Sequence, residues 1–399
     1  MFSGKNNKIA NLGLNILPII LGVGIFTSKA IINISLPLIY IATCYLIIKK
    51  QDDKKSRIFI YVFISGLILN LLGSKTTQDS LLYFKNFTFL LIPTLIAYAV
   101  ANKNKDAIIK AIIFGFIVSL TLFLSKNAHS ILNWHGEGLT SQWDIGRWRE
   151  IIVYFLCIAL PLVMHERKKI NSIAISMLII LSLMALILSI GRTGYIIIAC
   201  IFLPYILWKK WRSAIWVGMV LLLAASFMPR DLSDNITSRI RSIANIKTDA
   251  SNIGRVYMWK NGIDFTYHNY KKEVTTFLFG TGAHSFEDKN TNFTEEIGDK
   301  NFLTLVTKNQ FSFNDPHNGY LDILLKYGVI FSVVFYALII NTTRMLLLNK
   351  GGRTRDIALL CLLSWLLQGV FYTNSTSYQA IMVFTIISLG LFSEHENES

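Results

Sequence analysis

Residues 172–208 read SIAISMLIILSLMALILSIGRTGYIIIACIFLPYILW, a long apolar run with a single charge. An α-helix rises about 1.5 Å per residue, so about 20 residues cross the roughly 30 Å of hydrocarbon in a bilayer. The run is too long for one crossing. It breaks at Gly191-Arg192-Thr193-Gly194, where two glycines flank the charge. That pattern predicts two membrane helices joined by a tight turn. A transmembrane barrel would alternate rather than run apolar. The fold class is therefore all-α and polytopic.

The rest of the chain repeats the pattern. It has 399 residues, 53% of them hydrophobic. Apolar runs lie at about 10–27, 30–48, 58–73, 81–101, 108–125, 150–164, 172–190, 194–208, 213–228, 318–347, 357–372 and 377–392. These predict about twelve transmembrane helices, with about nine in an N-terminal bundle (1–228) and the rest in 318–399. Lys5 and Lys8 precede the first run and Ser28-Lys29-Ala30 follows it. With many spans beyond it, this run is expected to be an uncleaved helix rather than a signal peptide. The connector 229–317 is the one long polar segment, and it is expected to be a mostly helical extramembrane domain.

Charge sets the orientation. With the N-terminus inside, the inner connectors are 49–57, 102–110, 165–169, 209–212 and 344–355, all rich in Lys and Arg. The short outer connectors carry little beyond Lys29, Lys75, Lys126, Arg147, Arg149 and Arg192. This bias predicts cytoplasmic termini and an outward-facing large loop, periplasmic in a bacterium with two membranes. The net charge of +15 thus belongs to membrane topology. No basic–aromatic nucleic-acid motif accompanies it, and nucleic acid is not an expected partner. Cys44, Cys157, Cys200 and Cys361 all sit in apolar runs, which argues for packing rather than disulfides or metal binding.

Some residues stand out for chemistry. Arg192, at an outward turn, needs water or a partner, although an arginine that snorkels to headgroups is the alternative. In Gly254-Arg255-Val256-Tyr257-Met258-Trp259-Lys260-Asn261-Gly262, Arg255 and Trp259 share a helical face, and the glycines predict a helix of about two turns. Phe279-Gly280-Thr281-Gly282 is more often a plain turn than a phosphate cradle. In Asp315-Pro316-His317-Asn318-Gly319-Tyr320, the proline disfavours helix before it, so a helix is expected to start near His317 or Asn318. A helix N-terminus suits an anion, and a histidine there suits proton transfer, or it simply caps the helix.

Arg147 and Arg149 form a second outer basic pair beside Trp143 and Trp148, and they serve as interfacial anchors as readily as ligands. Residues 230–247 place Leu232, Ile236, Ile240 and Ile243 at helical spacing with Arg239 and Arg241 between them, an amphipathic surface helix. The sequence has no Walker-type loop, no His-Glu-x-x-His, no Gly-x-Ser-x-Gly and no Asp-x-Asp pair.

Outward Gly191-Arg192-Thr193-Gly194, then Gly254-Arg255-x-x-x-Trp259, then His317-Asn318-x-x-Leu321 resembles the O-antigen ligase and polymerase superfamily. In length and layout the chain looks most like the enterobacterial lipopolysaccharide O-antigen ligases. The resemblance implies a glycosyltransferase of the inner membrane with its site facing the periplasm. It would move O-antigen from undecaprenyl pyrophosphate to a sugar hydroxyl of the lipid A-core, without metal, ATP or another cofactor.

Arg192 and Arg255 would neutralise the pyrophosphate, and His317 would deprotonate or orient the acceptor, by direct displacement with inversion. Arg147, Arg149, Trp259, Asn318 and Tyr320 are the expected substrate contacts, and Lys308 is a further cation near the site in sequence. Membrane lipids and O-antigen assembly proteins are the implied partners. An O-antigen polymerase or a protein oligosaccharyltransferase would use the same donor. A twelve-helix transporter would instead show related halves and discontinuous helices at the midplane.

Overall fold

The computed structural model describes residues 3–73, 76–132, 134, 137–166, 168–209, 237–238, 241, 250–309, 311–349, 352–373 and 378–393. Among them the regular structure is helical throughout, with no strand. In chain order the helices are α1 (Ser3–Thr27), α2 (Lys29–Ile48), α3 (Arg57–Gly73), α4 (Thr77–Phe87), α5 (Ile92–Ala101), α6 (Lys105–Leu132), α7 (Ile145–His165), α8 (Lys169–Leu188) and α9 (Arg192–Ile197). A wide turn over Ile198–Phe202 prolongs α9 toward Lys209. Then come α10 (Ala250–Lys272), α11 (Val274–Phe279), α12 (Phe286–Glu296), α13 (Lys300–Val306), α14 (Gly319–Leu348), α15 (Arg353–Gly369) and α16 (Tyr378–Phe392).

Short polar side chains close several of the first turns. Ser28 accepts from Ala30 N–H at 3.2 Å, Thr76 from Asp79 N–H at 3.1 Å, and Asp144 from Arg147 N–H at 3.0 Å. Each satisfies a backbone donor that the helix leaves open.

The molecule is an all-α polytopic membrane protein. Eight of the described helical segments are long and apolar enough to cross a bilayer, and Arg57–Gly73 and Tyr378–Phe392 are shorter apolar helices. The run 213–228 and most of 230–247 lie outside the described residues, so a count of twelve is not reached here. In the bundle α1 lies along α6 and α2, α7 packs on α8 and α15, and α16 lies against α15 and α5. A column of rings fills the interior, with Phe87 against Tyr83, Tyr327 and Phe331, and Phe384 against Phe89 and Trp365. Outward, α8 exposes Ile173, Met177, Ile180 and Met184 at helical spacing, the face a bilayer covers.

The two ends of the bundle differ. At one end Asp356 receives Lys209 at 3.0 Å, Arg355 at 3.0 Å and His165 at 3.6 Å, and Arg353 approaches Asp106 at 3.7 Å. These connectors were all expected on the inner side, and they share one end. At the other end lie the 188–192 turn, the 139–149 segment and His317.

Two expectations fail in an informative way. The helix carrying Arg255 and Trp259 is not two turns long but runs from Ala250 to Lys272, through both Gly254 and Gly262. A glycine costs about 1 kcal/mol in a helix, and here packing outweighs it. A Cβ on Gly262 would sit 3.3 Å from Leu325 Cδ1, so the bare position lets α10 settle onto α14.

The expected span 318–347 is not one straight helix either. It bends at Gly328, with φ 80 and ψ 170. Tyr320 and Tyr336 stack at 5.4 Å across the bend, whereas a straight helix would hold residues so spaced about 24 Å apart. The segment 319–327 folds back against the longer half.

The Gly280-Thr281-Gly282 turn secures that bend, as a turn rather than a phosphate cradle. Thr281 N–H donates to Leu325 O at 2.9 Å, and Gly282 N–H donates to Lys326 O at 3.0 Å. Gly280 (φ 86) and Gly328 (φ 80) occupy a region that is essentially glycine-only, with their backbones in contact. Asp79 fills the neighbouring loop, accepting from His284 N–H at 2.7 Å and from Ser285 Oγ at 3.0 Å. The anion held here is the chain's own carboxylate.

A methyl on Gly328 would lie 2.3 Å from Leu278 O and 2.5 Å from Gly280 N, backbone atoms that cannot step aside. Gly328→Ala should therefore lose at least the roughly 1–3 kcal/mol typical of such strain. Thermal unfolding in detergent should show a lowered Tm. Gly13→Ala, inside α1 and with nothing within 4 Å of its methyl, should hold or raise it.

Candidate active site

Four separate segments converge at the end of the bundle opposite Asp356. The first is the α8–α9 turn. Ile190 takes a left-handed φ of 55, and Gly191 precedes Arg192 at the start of α9. Arg149 from α7 packs onto this turn. Its Nε donates to Ser189 O at 2.7 Å, and its Cδ would touch a Cβ on Gly191 at 3.1 Å. Two arginines that are distant in sequence thus meet at one turn.

The second segment is α10. Asn252, Arg255 and Trp259 lie at i, i+3 and i+7 and follow one side of the helix. Arg192 Nη1 donates to Asn252 Oδ1 at 3.4 Å. Arg255 lies over the Tyr372 ring at 5.3 Å. Its Nε is buried and has no hydrogen-bond partner among the described residues. Trp259 Nε1 points at His317 O, 3.4 Å away.

The third is Asp315–Tyr320. Asp315 Oδ1 accepts from His317 N–H at 2.7 Å, closing a turn around Pro316, and Oδ2 lies 3.1 Å from His317 Nδ1. His317 is left-handed, with φ 48, which costs an L-residue roughly 1–2 kcal/mol. The helix begins at Gly319, one residue after the later of the two expected starts, because Asn318 supplies the cap. Its Oδ1 accepts from the Tyr320 and Leu321 N–H groups, each at 3.0 Å, and its Nδ2 donates to Val370 O at 3.1 Å. Tyr320 donates its hydroxyl proton to Leu366 O at 2.8 Å.

The fourth is the exit from α15, where Tyr372 carries Arg255 and Thr373 donates to Asp315 Oδ1. Burial pushes the Asp315 carboxyl up. The His317 side chain, the Thr373 hydroxyl and the His317 N–H more than offset it, holding the carboxyl at about 2.

Arg192, Arg255, Trp259, His317, Asn318 and Tyr320 are thus brought into one connected group, and Arg149 joins it at the α8–α9 turn. Arg147 stands apart, 3.4 Å from Asp144 and over the Tyr378 ring at 5.4 Å. Lys308 sits in a left-handed turn after α13 with φ 52.

The sequence reading missed Asn252, Asp315, Tyr372 and Thr373. The Asp-Pro pair ahead of the histidine was a legible turn signal. Nothing local marks the other three. Among the described residues no group of three or more His, Cys, Asp or Glu could hold a metal.

Fold and site together define a multi-pass membrane protein with a cationic, histidine-bearing centre at one end of its bundle. The family model for O-antigen ligase matches residues 177–336, the segment that holds Arg192, Arg255 and His317. Over that segment the chain is similar to the O-antigen ligase family, which is associated with membrane glycosyltransferase-like enzymes. No curated protein matches the chain.

Asp315 titrates lower in the folded protein than its ordinary 3.8. Its contribution is complete above about pH 4 and is lost as pH falls through about 2. The Tm gap between wild type and Asp315→Asn should therefore narrow as pH drops from 4 to 2. Thermal melts across that range read the effect, and a gap independent of pH would contradict it.

Proposed function

We propose that the protein transfers O-antigen polysaccharide from undecaprenyl pyrophosphate to a sugar hydroxyl of the lipid A-core. The observation carrying this reading is the convergence of Arg192, Arg255 and His317 from three segments onto one connected group. The donor brings its own leaving group, so the protein must supply charge neutralisation and a proton acceptor.

The acceptor oxygen attacks the anomeric carbon, the bond from that carbon to the pyrophosphate oxygen breaks, and undecaprenyl pyrophosphate leaves with the electron pair. Guanidinium forks match phosphate oxygens in paired hydrogen bonds, more strongly where water is excluded. Arg192 and Arg255 would meet the developing charge. The unpartnered, buried Nε of Arg255 favours such a ligand, because a buried donor left unmade is costly. His317, with Nδ1 turned to Asp315, would take the hydroxyl proton on Nε2. One displacement without a covalent intermediate inverts the anomeric centre, and a product linkage of retained configuration, read by NMR, would sink that step.

Asn318 and Tyr320 would support the loop that presents His317, and Trp259 would wall it. Arg149 would extend the cationic turn toward the donor. Arg147, neutralised by Asp144, fits an interfacial anchor better. The short-loop charge bias supports cytoplasmic termini and a periplasm-facing site in the inner membrane, with membrane lipids and O-antigen assembly proteins as neighbours. A polymerase of the same superfamily shares the donor half of this chemistry and differs in the acceptor.

Expressed in a ligase-deficient strain with a compatible core, the protein should restore a lipopolysaccharide ladder on a gel. His317→Ala at matched membrane levels should lose it, since a positioned base contributes about 10²–10⁴-fold. Arg192→Lys and Arg255→Lys should lose about 10²-fold or more, because an ammonium cannot replace the fork. A core band without ladder from well-expressed wild type would favour the polymerase reading.

A further inference from the structure

We infer that Asp315 is a positioning residue for His317, locked in turn by Thr373, and that Tyr372-Thr373 straps the base to the phosphate-binding arginine. The inference rests on the transfer reading above and deepens it. One carboxylate grips His317 twice: Oδ1 takes its backbone N–H at 2.7 Å, and Oδ2 faces its Nδ1 at 3.1 Å. The first contact holds the left-handed backbone at φ 48. The second places the ring proton on Nδ1 and leaves the Nε2 lone pair for an acceptor hydroxyl.

Asp315 does not hold this pose by itself. Thr373 donates to Oδ1 from 58 residues away, so the carboxylate cannot swing off the ring without breaking a contact to the α15 exit. The residue before Thr373 is Tyr372, whose ring carries the Arg255 guanidinium at 5.3 Å. Two consecutive residues therefore touch both halves of the site. A shift of Arg255 onto a pyrophosphate pulls on Tyr372, and Thr373 carries that shift to the carboxylate that aims the base. Trp259, one turn after Arg255 on the same helix, closes the loop by pointing its Nε1 at His317 O, 3.4 Å away.

The side chain of His317 is 39% exposed and that of Asp315 32%. The base is open to an incoming hydroxyl, with the carboxylate on the ring edge bearing Nδ1.

The test uses the full-length protein in proteoliposomes, with a lipid-linked glycan as donor and lipid A-core as acceptor. His317→Ala, Asp315→Asn, Asp315→Glu and Thr373→Val are compared at matched reconstitution. His317→Ala should be inactive. Asp315→Asn should lose kcat by about 10²-fold or more, within the range for a mis-set base, with donor KM unchanged within about twofold. Asp315→Glu should recover part of that loss, and Thr373→Val should lower kcat severalfold.

A second readout is independent of turnover. Nitrogen-15 histidine spectra, with His317 assigned by difference against His317→Gln, should show the Nδ1–H tautomer in wild type and its loss in Asp315→Asn. Wild-type kcat in Asp315→Asn beside an inactive His317→Ala would overturn the inference and leave the transfer reading standing. So would equal changes in kcat and KM with an unchanged tautomer. An active His317→Ala would remove both.

Discussion

The close approach of two glycine backbones, Gly280 and Gly328, is the constraint on which the rest depends. Each holds a φ near +80 that side chains cannot adopt, and each occupies the space a Cβ of the other would need. Their contact fixes the bend in α14, and the bend turns Asn318 and His317 back toward α15. Without it, residues 319–327 would continue the straight line of the helix and carry the histidine away from Val370 and Thr373. Asn318 then finishes the placement: one amide oxygen caps the helix and the amide nitrogen reaches Val370 O. A chemically ordinary helix start becomes a located one because the backbone beneath it has a single allowed course.

The polar connector contributes in the same manner. Its small core of Phe265, Phe286, Phe293 and Leu325 joins α10 and α12 to the folded-back half of α14. Leu325 is shared between that core and the bend, and Asp79 ties the following loop to α4 through backbone N–H groups. The segment that carries Arg255 and Trp259 is thus seated by the element that carries His317. Arginine and histidine need not be aligned by long-range rigidity. They share a support.

How much of this was legible follows from range. The helical hairpin at Gly191–Gly194 was readable because a charge between glycines interrupts a run too long for one crossing, all within a few residues. The alternation of basic connectors was readable because charge near a short loop acts locally on insertion, and the grouping of His165, Lys209 and Asp356 agrees with it. Gly254 and Gly262 were misread as helix ends because propensity is local while the packing of Gly262 onto Leu325 is not. The bend at Gly328 was missed because a lone glycine in an apolar run has many tolerated roles; only its partner at Gly280, 48 positions earlier, gives it one. Tyr372 and Thr373 carry no local signature at all. Their meaning comes entirely from α15 returning beside α14.

The two ends of the bundle solve the problem of charge at a membrane boundary differently, and the difference explains where chemistry can occur. At the Asp356 end, one carboxylate gathers Lys209, Arg355 and His165, so cations there spend their attraction within the protein. At the other end Arg147 likewise meets Asp144. Also at that end, uncharged groups help seat three guanidiniums: the Asn252 amide for Arg192, the Ser189 carbonyl for Arg149 and the Tyr372 ring for Arg255. Such partners help fix a cation's position without themselves bringing a negative charge. Positive charge held in place at the edge of a bilayer suits an anionic ligand. Asp315, a carboxylate at this end, is turned to the histidine. On the proposed reading, that carboxylate acts on the histidine rather than on the arginines.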